Sequence, residues 1–269
     1  MKKRSLIYAV TVLAFLSIGC KSNFEKIRSS NDPEKTLAAA HEYFENEEYI
    51  KAQGLYELVI PFYRGKKEAE DLFYNYTYTF YNTNEYILAS LYFENFTKTF
   101  YNSPKKEEMA FMSAFSNYRM SPSHKLDQQP SEKALEDLQT FINTYPNSPR
   151  VEECNALMDE LRLKLENKSY EQGKLYFDLK DYQAAMTSLE NTIKDFPETK
   201  RSEELRFLII KSSSELAKNS VYNKMQDRLD DSIERSEKFL QRYEKSQYRR
   251  EVQNIIKYCK NELKRFTNG

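Results

Sequence analysis

Apolar and aromatic positions recur along the chain in five similar segments. In each segment, an apolar or aromatic residue is followed four positions later by Tyr or Phe, often with Pro next. The segments are Leu58–Lys66, Asn95–Ser103, Thr140–Ser148, Asn191–Thr199 and Lys238–Ser246. The equivalent positions Val59, Phe96, Phe141, Thr192 and Phe239 are separated by 37, 45, 51 and 47 residues. Five segments in one register indicate an internal repeat rather than an irregular helical bundle.

An aromatic residue and an alanine precede most of these segments. The pairs are Tyr49 with Ala52, Tyr86 with Ala89, and Tyr182 with Ala185, while Ala134 stands alone in the third segment. This pattern is typical of tetratricopeptide repeats, in which each unit is a pair of antiparallel helices. A small alanine lets the two helices approach closely, and the large ring fills the gap to the next unit. The sequence therefore predicts an all-α tetratricopeptide-repeat solenoid of about five helix pairs, with ten or eleven helices and no strands.

The predicted units fall into two groups. Residues 32–147 hold units one to three, and residues 148–269 hold units four and five and a terminal helix. The periods exceed the usual repeat of about 34 residues. We therefore expect extra residues in a loop at Ser121–Pro130 and in a long helix running from Arg150 towards Leu179.

The first nineteen residues have the features of a secretory signal peptide. Residues 2–4 are two lysines and an arginine, and Leu6–Ile18 is an apolar stretch. The stretch is shorter than the roughly 20 apolar residues that a membrane-spanning helix needs. We therefore expect residues 1–19 to be removed, so that a net acidic chain remains.

The apolar stretch ends in Ser17-Ile18-Gly19-Cys20. This resembles the lipobox of bacterial lipoproteins, in which a small residue precedes a cysteine that is cut free and acylated, although Ser17 replaces the usual Leu or Val. We expect Cys20 to be the lipid anchor, carrying acyl chains such as palmitate, because several chains together hold a protein stably at a membrane. Lys21, where Asp would cause retention, implies outer-membrane delivery by the Gram-negative sorting rule. Residues 20–31 are polar and are interpreted as a tether.

Aromatic residues are concentrated in the first half of the chain. Residues 41–118 contain 12 Tyr and 9 Phe out of 38 such rings, and the densest stretch is 73–81. On a helix this stretch gives two stripes, of which we expect one to pack in the seam between repeats and the other to face a groove. The alternative is that every ring packs the seam. The candidate residues of a peptide-binding groove are Tyr43, Phe73, Tyr74, Tyr76, Tyr78, Phe80 and Tyr81.

Charge is distributed unevenly along the repeats. Residues 32–71 contain five basic and ten acidic residues, whereas residues 245–265 contain seven basic and two acidic ones. A basic last helix is suited to an acidic partner or to anionic head groups, although such residues also occur on ordinary solvated helix faces. The candidate docking residues are Arg249, Arg250, Lys257, Lys260, Lys264 and Arg265.

Composition argues against several enzyme classes. The five glycines of the chain are widely separated, so no glycine-rich loop can hold a nucleotide phosphate. Neither His41 nor His124 lies in a metal-binding or catalytic motif. We therefore expect no catalytic residues, no metal and no cofactor, and neither nucleic acid nor a small-molecule substrate as partner. Cys154 and Cys259 occur at apolar helix positions and are interpreted as buried thiols.

A lipobox, a short tether and five tetratricopeptide units resemble the BamD family, the tetratricopeptide lipoproteins of the outer-membrane β-barrel assembly machinery. Asp127-Gln128-Gln129 before the third unit's second helix, and Tyr145-Pro146-Asn147-Ser148 after it, are similar to motifs of that family. The fifth unit departs, with Glu244 where proline is usual.

This resemblance implies a non-catalytic scaffold on the periplasmic face of the outer membrane. It implies that the C-terminal units bind the periplasmic part of a BamA-like barrel protein, and that the N-terminal groove receives unfolded outer-membrane proteins. Two alternatives remain open. One is a scaffold for another envelope system, such as pilus secretin assembly, gliding or peptidoglycan coordination. The other is a glycan-binding lipoprotein of nutrient uptake, a class that is usually longer and richer in Trp, which this chain lacks.

Overall fold

A computed structural model describes residues 23–267 of the chain, with side chains described to residue 265. The predictions for the signal peptide and for Cys20 lie outside the described residues. Within the described range, the chain forms helices and no strand, which confirms the predicted all-α class. The helices are α1 (Asn23–Arg28), α2 (Pro33–Glu45), α3 (Tyr49–Tyr63), α4 (Ala69–Asn82), α5 (Tyr86–Thr99), α6 (Lys106–Arg119), α7 (Gln129–Thr144), α8 (Val151–Asp178), α9 (Tyr182–Asp195), α10 (Ser202–Lys218), α11 (Tyr222–Arg242) and α12 (Arg249–Thr267).

Helices α2 to α11 form five consecutive pairs of the tetratricopeptide type, followed by α12. The first helix of the first pair begins where the sequence predicts, because Asp32 caps it with a bond from the Lys35 amide and Pro33 occupies the first turn. The expected long helix is also present as α8.

Residues 23–28 are not part of an extended tether. They form α1, which contacts α2 and α3, buries Ile27 and sets the ring of Phe24 edge-on to Tyr43 at 5.8 Å. The expectation of a tether over the whole of residues 20–31 is therefore wrong for this segment, and α1 brings the number of described helices to twelve. A single apolar residue and one ring in a polar segment give too weak a periodicity to predict so short a helix.

The predicted repeat register coincides with the pattern of burial. The signature residues Val59, Phe96, Phe141, Thr192 and Phe239 are all at most 3% exposed, and the four predicted alanines are completely buried. In the fifth pair, Ser232 occupies the position of the alanine and is also completely buried. The small residue of each second helix therefore lies in the seam, as close helix packing requires.

The turns inside three of the helix pairs share one backbone conformation. Glu47, Asn84 and Lys180 have φ angles of 60°, 63° and 62°. In each case the amide of the next residue donates to a carbonyl in the last turn of the preceding helix. The Glu48 amide, for example, donates to the Tyr43 carbonyl at 2.8 Å. This is a Schellman helix end, a place that usually carries glycine. The chain uses side-chain-bearing residues there, which accounts for part of its shortage of glycine.

The structure divides into two compact units. Among the described residues, the first comprises 23–120 together with 133–151, and the second comprises 121–132 together with 152–267. In the second unit, Gln128 is buried and its amide donates to the carbonyls of Ser123 and Leu126. Lys164 and Lys168 of α8 donate to Ser121 and Leu126. These bonds hold the 121–128 loop against α8, so the boundary expected between residues 147 and 148 misassigned this loop.

Cys154 and Cys259, the two cysteines within the described residues, are buried in the second unit and neither forms a disulfide, as the sequence indicated for buried thiols. Cys259 of α12 lies in an apolar cluster with Ala217 of α10 and Leu229 of α11. Burial raises the pKa of the Cys259 thiol above its ordinary value. The cluster therefore joins three helices around an unreactive thiol.

Gly173 of α8 permits the closest helix contact seen at a glycine. A Cβ atom placed there would lie 2.5 Å from Cδ2 and 2.8 Å from Cγ of Leu189, which is completely buried on α9. Gly54 of α3 provides a natural comparison, since a Cβ atom there would meet no atom within 4 Å.

We expect Gly173→Ala to lower the free energy of unfolding by about 1–3 kcal/mol, because the added methyl group would force the completely buried side chain of Leu189 to shift. Gly54→Ala is the matched control, and it should leave stability unchanged or raise it by up to about 1 kcal/mol through helix propensity. Urea denaturation of the mature chain measures both. Equal behaviour of the two variants would contradict the close packing of α8 against α9.

Candidate functional site

The first aromatic stripe of α4 lies in the helix seam of the first unit. Tyr76 and Phe80 are almost completely buried, and Phe80 stacks on Tyr92 of α5 with ring centroids 4.6 Å apart. Phe73 is half-buried against Phe100, at 5.7 Å. The prediction that Tyr76 and Phe80 line an open groove is therefore wrong, because α3 and α5 cover both side chains.

The second stripe of α4 faces α6. The hydroxyl groups of Tyr74 and Tyr78 both donate to one carboxylate oxygen of Glu108, at 3.0 and 2.5 Å. Burial, and next the bond to Glu108, raise the pKa of Tyr78 above its ordinary value, so the hydroxyl stays protonated and remains a donor. Tyr81 continues the stripe and lies 6.3 Å from the ring of Phe115.

These three tyrosines are half-buried, so each ring combines a packed face with an accessible part. A ring held by a bond at its hydroxyl loses little rotamer entropy when a ligand covers its open edge. The role of Tyr74, Tyr78 and Tyr81 in binding a peptide stays a prediction, and the structure restricts it to the part of the stripe that α6 leaves open.

Tyr43 has a different environment from the other candidate residues. Its ring is T-shaped to that of Phe24, with the centroids 5.8 Å apart, and the Lys51 ammonium lies 5.0 Å from its centroid. Tyr43 thus joins α1, α2 and α3 at one point. Its role in a peptide groove also stays a prediction.

His41 belongs to a small polar network. Its Nδ1 lies 2.9 Å from the Tyr56 hydroxyl and 3.1 Å from the side-chain nitrogen of Asn75. Burial lowers the pKa of His41, and the carboxylates of Glu45 and Asp71 oppose this effect. These contacts link α2, α3 and α4, so the histidine has a packing role.

Two grooves occupy equivalent places in the two units. Each lies between consecutive second helices and has the intervening first helix as its floor: α5, α6 and α7 in the first unit, and α9, α10 and α11 in the second. The volumes are about 310 Å³ and about 780 Å³. The repeat pattern of the sequence does not by itself predict these grooves. Glu94 and Glu190, each two residues before a signature position, line the respective grooves and are the sequence signal that could have indicated them.

The larger groove combines an apolar floor with a charged rim. Ile209 and Ile210 form the floor, and Arg235 crosses the rim to pair with Glu190 at 2.5 Å and with Asp231 at 2.7 Å. The buried Nε of Arg206 has no hydrogen-bond partner within residues 23–265. An apolar floor with polar edges is suited to the side of a helix or an extended segment.

The basic residues of α12 divide into two sets. Arg249 donates to the Glu244 carbonyl, Lys260 pairs with Glu237 of α11, and Arg265 pairs with Glu262. Arg250, Lys257 and Lys264 are spaced by seven residues and therefore lie on one face of the helix, and all three are exposed. Within residues 23–265, neither Arg250 nor Lys257 forms an ion pair.

A known protein family matches most of the chain. Residues 29–228 match the model of the YfiO family, described as outer membrane lipoprotein. The chain belongs to the YfiO family. This confirms the family resemblance that the lipobox and the repeats indicated.

Individual relatives of the YfiO-family chain are distant. It is 22% identical over 237 residues to the outer membrane protein assembly factor BamD of Haemophilus influenzae, covering 82% of this chain and 88% of that protein. Among solved structures, it is similar to the TPR2AB-domain:pHSP90-complex of yeast Sti1, with a TM-score of 0.39 and 13% identity over 85% of this chain and 98% of the other.

The contact between the tyrosine stripe and Glu108 can be tested by mutation. We expect Glu108→Ala to lower the free energy of unfolding by about 1.5–3 kcal/mol, because two hydroxyl groups lose a charged acceptor. Glu108→Gln keeps an acceptor oxygen and should lose less. Thermal or urea unfolding measures both variants.

Glu107→Ala is the matched control, since it removes the neighbouring carboxylate on the same helix. A loss of stability in Glu107→Ala as large as that in Glu108→Ala would show that the two tyrosine bonds contribute nothing specific.

Proposed function

We propose that this protein is a lipid-anchored, non-catalytic scaffold of outer-membrane β-barrel assembly. In this proposal Cys20 carries the lipid anchor, and the body lies on the periplasmic face of the outer membrane. The C-terminal unit binds the periplasmic part of a BamA-like barrel protein, and the N-terminal unit receives unfolded outer-membrane proteins. Membership of the YfiO family of outer membrane lipoproteins is the observation that carries the proposal.

The anchor rests on the sequence at the start of the chain. Gly19-Cys20 follows an apolar stretch of signal-peptide length, and α1 begins three residues later, at Asn23. No helix within the described residues is both long enough and apolar enough to cross a membrane. A lipid at Cys20 would therefore supply membrane attachment at the point where the folded body begins.

The aligned basic face of α12 supports the assignment of the docking surface. Arg250, Lys257 and Lys264 extend over two heptads on one exposed face, whereas Val252 and Cys259 on the opposite side are buried. Exposed charges of one sign increase the rate and specificity of association with an acidic surface. We propose that all six docking residues predicted from the sequence contribute to partner binding, and that Arg250, Lys257 and Lys264 contribute most.

The tyrosine stripe supports the assignment of the receiving surface. Unfolded outer-membrane proteins present a C-terminal targeting strand that commonly ends in an aromatic residue. Half-exposed tyrosines such as Tyr74 and Tyr78 offer flat apolar edges to such a residue. Because Glu108 holds their hydroxyl groups, the rings are ordered before a ligand arrives.

Replacement of the proposed anchor should change where the protein is found. We expect Cys20→Ser to release the protein from membranes into the soluble envelope fraction, because the acylated thiol is lost. Membrane fractionation with a salt wash measures the distribution, with the wild-type chain as control. Retention of the variant in salt-washed membranes would overturn the anchor assignment.

Charge reversal on α12 should weaken partner binding. We expect the double variant Arg250→Glu, Lys257→Glu to reduce recovery of a BamA-like barrel protein from solubilised membranes by about tenfold or more, and the wild-type complex to weaken at high salt. Lys174→Glu, Lys200→Glu is the matched control, because it makes the same charge change at two other exposed lysines of the second unit.

The identity of the recovered protein distinguishes the proposal from its rivals. Recovery of a secretin would favour the pilus-assembly alternative, and recovery of a TonB-dependent transporter would favour nutrient uptake. Equal loss in the control variant would remove α12 as the docking surface.

A further inference from the structure

Helix α3 is apolar on two sides. Its inner side buries Ala52, Leu55, Tyr56, Val59 and Tyr63 in the first unit. Its outer side exposes Ile50, Leu58 and Phe62 to 77%, 42% and 58%. A surface helix normally presents polar residues on its outer side. The outer side of α3 is therefore an apolar face without a partner among the described residues.

The exposed residues form a continuous line. Ile50, Gly54, Leu58 and Phe62 follow one another at four-residue intervals, so they lie along one face of the helix. A Cβ atom added at Gly54 would meet no atom within 4 Å, so the middle of this face is open. Ile50 also borders a depression that Glu47, Glu48 and Thr83 help to line. Helix α5, which begins after Thr83, exposes Ile87 and Leu91.

Basic residues border this apolar face despite the acidic character of the segment around it. Of the five basic residues between positions 32 and 71, four lie on α3 or in the turn that follows it: Lys51, Arg64, Lys66 and Lys67. Lys51 pairs with Glu48, whereas residues 64–68 carry three basic residues and only Glu68 in opposition. Exposed large apolar residues next to basic ones are typical of helices that lie in the interface of a membrane.

The start of the folded chain lies beside the start of α3. Phe24 and Lys51 contact the same ring, that of Tyr43, at 5.8 and 5.0 Å. Cys20 precedes Asn23 by three residues, which span at most about 10 Å even when fully extended. An acyl chain at Cys20 would therefore hold α1, and with it the first turn of α3, close to the lipid surface.

We propose that the outer face of α3, defined by Ile50, Leu58 and Phe62 together with the basic turn Arg64–Lys67, rests on the anionic lipid surface into which Cys20 is anchored. The inference extends the proposed function and rests on its anchor assignment. The apolar side chains enter the interface, the basic turn attracts the head groups, and the anchor keeps the first unit in contact with them.

Vesicle binding by the unacylated mature chain tests this surface. The chain from residue 20 onward, carrying Cys20→Ser, is mixed with vesicles of phosphatidylethanolamine containing about a quarter phosphatidylglycerol, and sedimentation measures the bound fraction. We expect measurable binding that Ile50→Ser, Phe62→Ser lowers about tenfold, because two apolar side chains no longer enter the interface. Lys66→Glu, Lys67→Glu should abolish the increase in binding that phosphatidylglycerol produces at low salt, because the turn then repels anionic head groups.

Leu163→Ser, Leu175→Ser provides the matched control. These leucines of α8 are 54% and 56% exposed, so the change removes similar apolar surface from the second unit. The control should bind vesicles as the parent chain does. Circular dichroism and the midpoint of thermal unfolding establish that each variant is folded, as expected when only exposed side chains change.

Three results would overturn the proposal that α3 rests on lipid. The first is that the parent chain does not bind vesicles, and the second is that the α8 control loses as much binding as the α3 variant. The third is that sedimentation velocity shows the parent chain to be a dimer and the Ile50→Ser, Phe62→Ser variant to be a monomer. That result would assign the outer face of α3 to a second copy of the chain. Because this assay contains no acyl chain, its failure leaves the anchor to be decided by membrane fractionation of Cys20→Ser.

Discussion

A single pair of helices in this protein cannot bury its apolar side alone. The rest of the structure depends on how each pair packs its apolar side against the next pair. This packing uses a small residue of the second helix together with the larger residues seven and eleven positions later: Ala52 with Val59 and Tyr63 in the first pair, and Ser232 with Phe239 and Tyr243 in the fifth. At Gly173 of α8 even a Cβ atom would lie within 3 Å of Leu189 on α9, so this contact requires glycine. Since these contacts join only neighbours, the units can carry quite different surfaces while sharing one packing rule.

The first unit illustrates the competition between packing and binding for the same residues. Its aromatic side chains are numerous, yet Tyr76 and Phe80 are enclosed by the seam, and Tyr74 and Tyr78 are fixed by Glu108. What remains accessible is a set of ordered ring edges on one side and the apolar face of α3 on another. The second unit has fewer rings, and its surface is dominated by the charged groove of α9 to α11 and by α12.

The repeat register, the long helix α8 and the buried alanines could all be predicted, because each depends on spacing along the chain and on residue size. The burial of Tyr76 and the contact of Tyr78 with α6 could not. Both stripes of α4 contain the same kinds of residue, and the positions of α3, α5 and α6 decide which rings are covered. Helix α1 was missed for lack of periodicity, and the two grooves were missed because they form between helices about 40 to 50 residues apart in sequence.

The buried thiol of Cys259 has one more consequence. It lies where α12 rests on α10 and α11, among Ala217, Leu229 and other apolar side chains. Its raised pKa and lack of access leave it inert as long as α12 is seated. An alkylating reagent can reach the sulfur only when the last helix lifts, so the rate at which the thiol is modified reports how often that helix opens. A protein bound to the outer face of α12 would slow this reaction without touching the cysteine, and the chain therefore contains its own probe of occupancy at that surface.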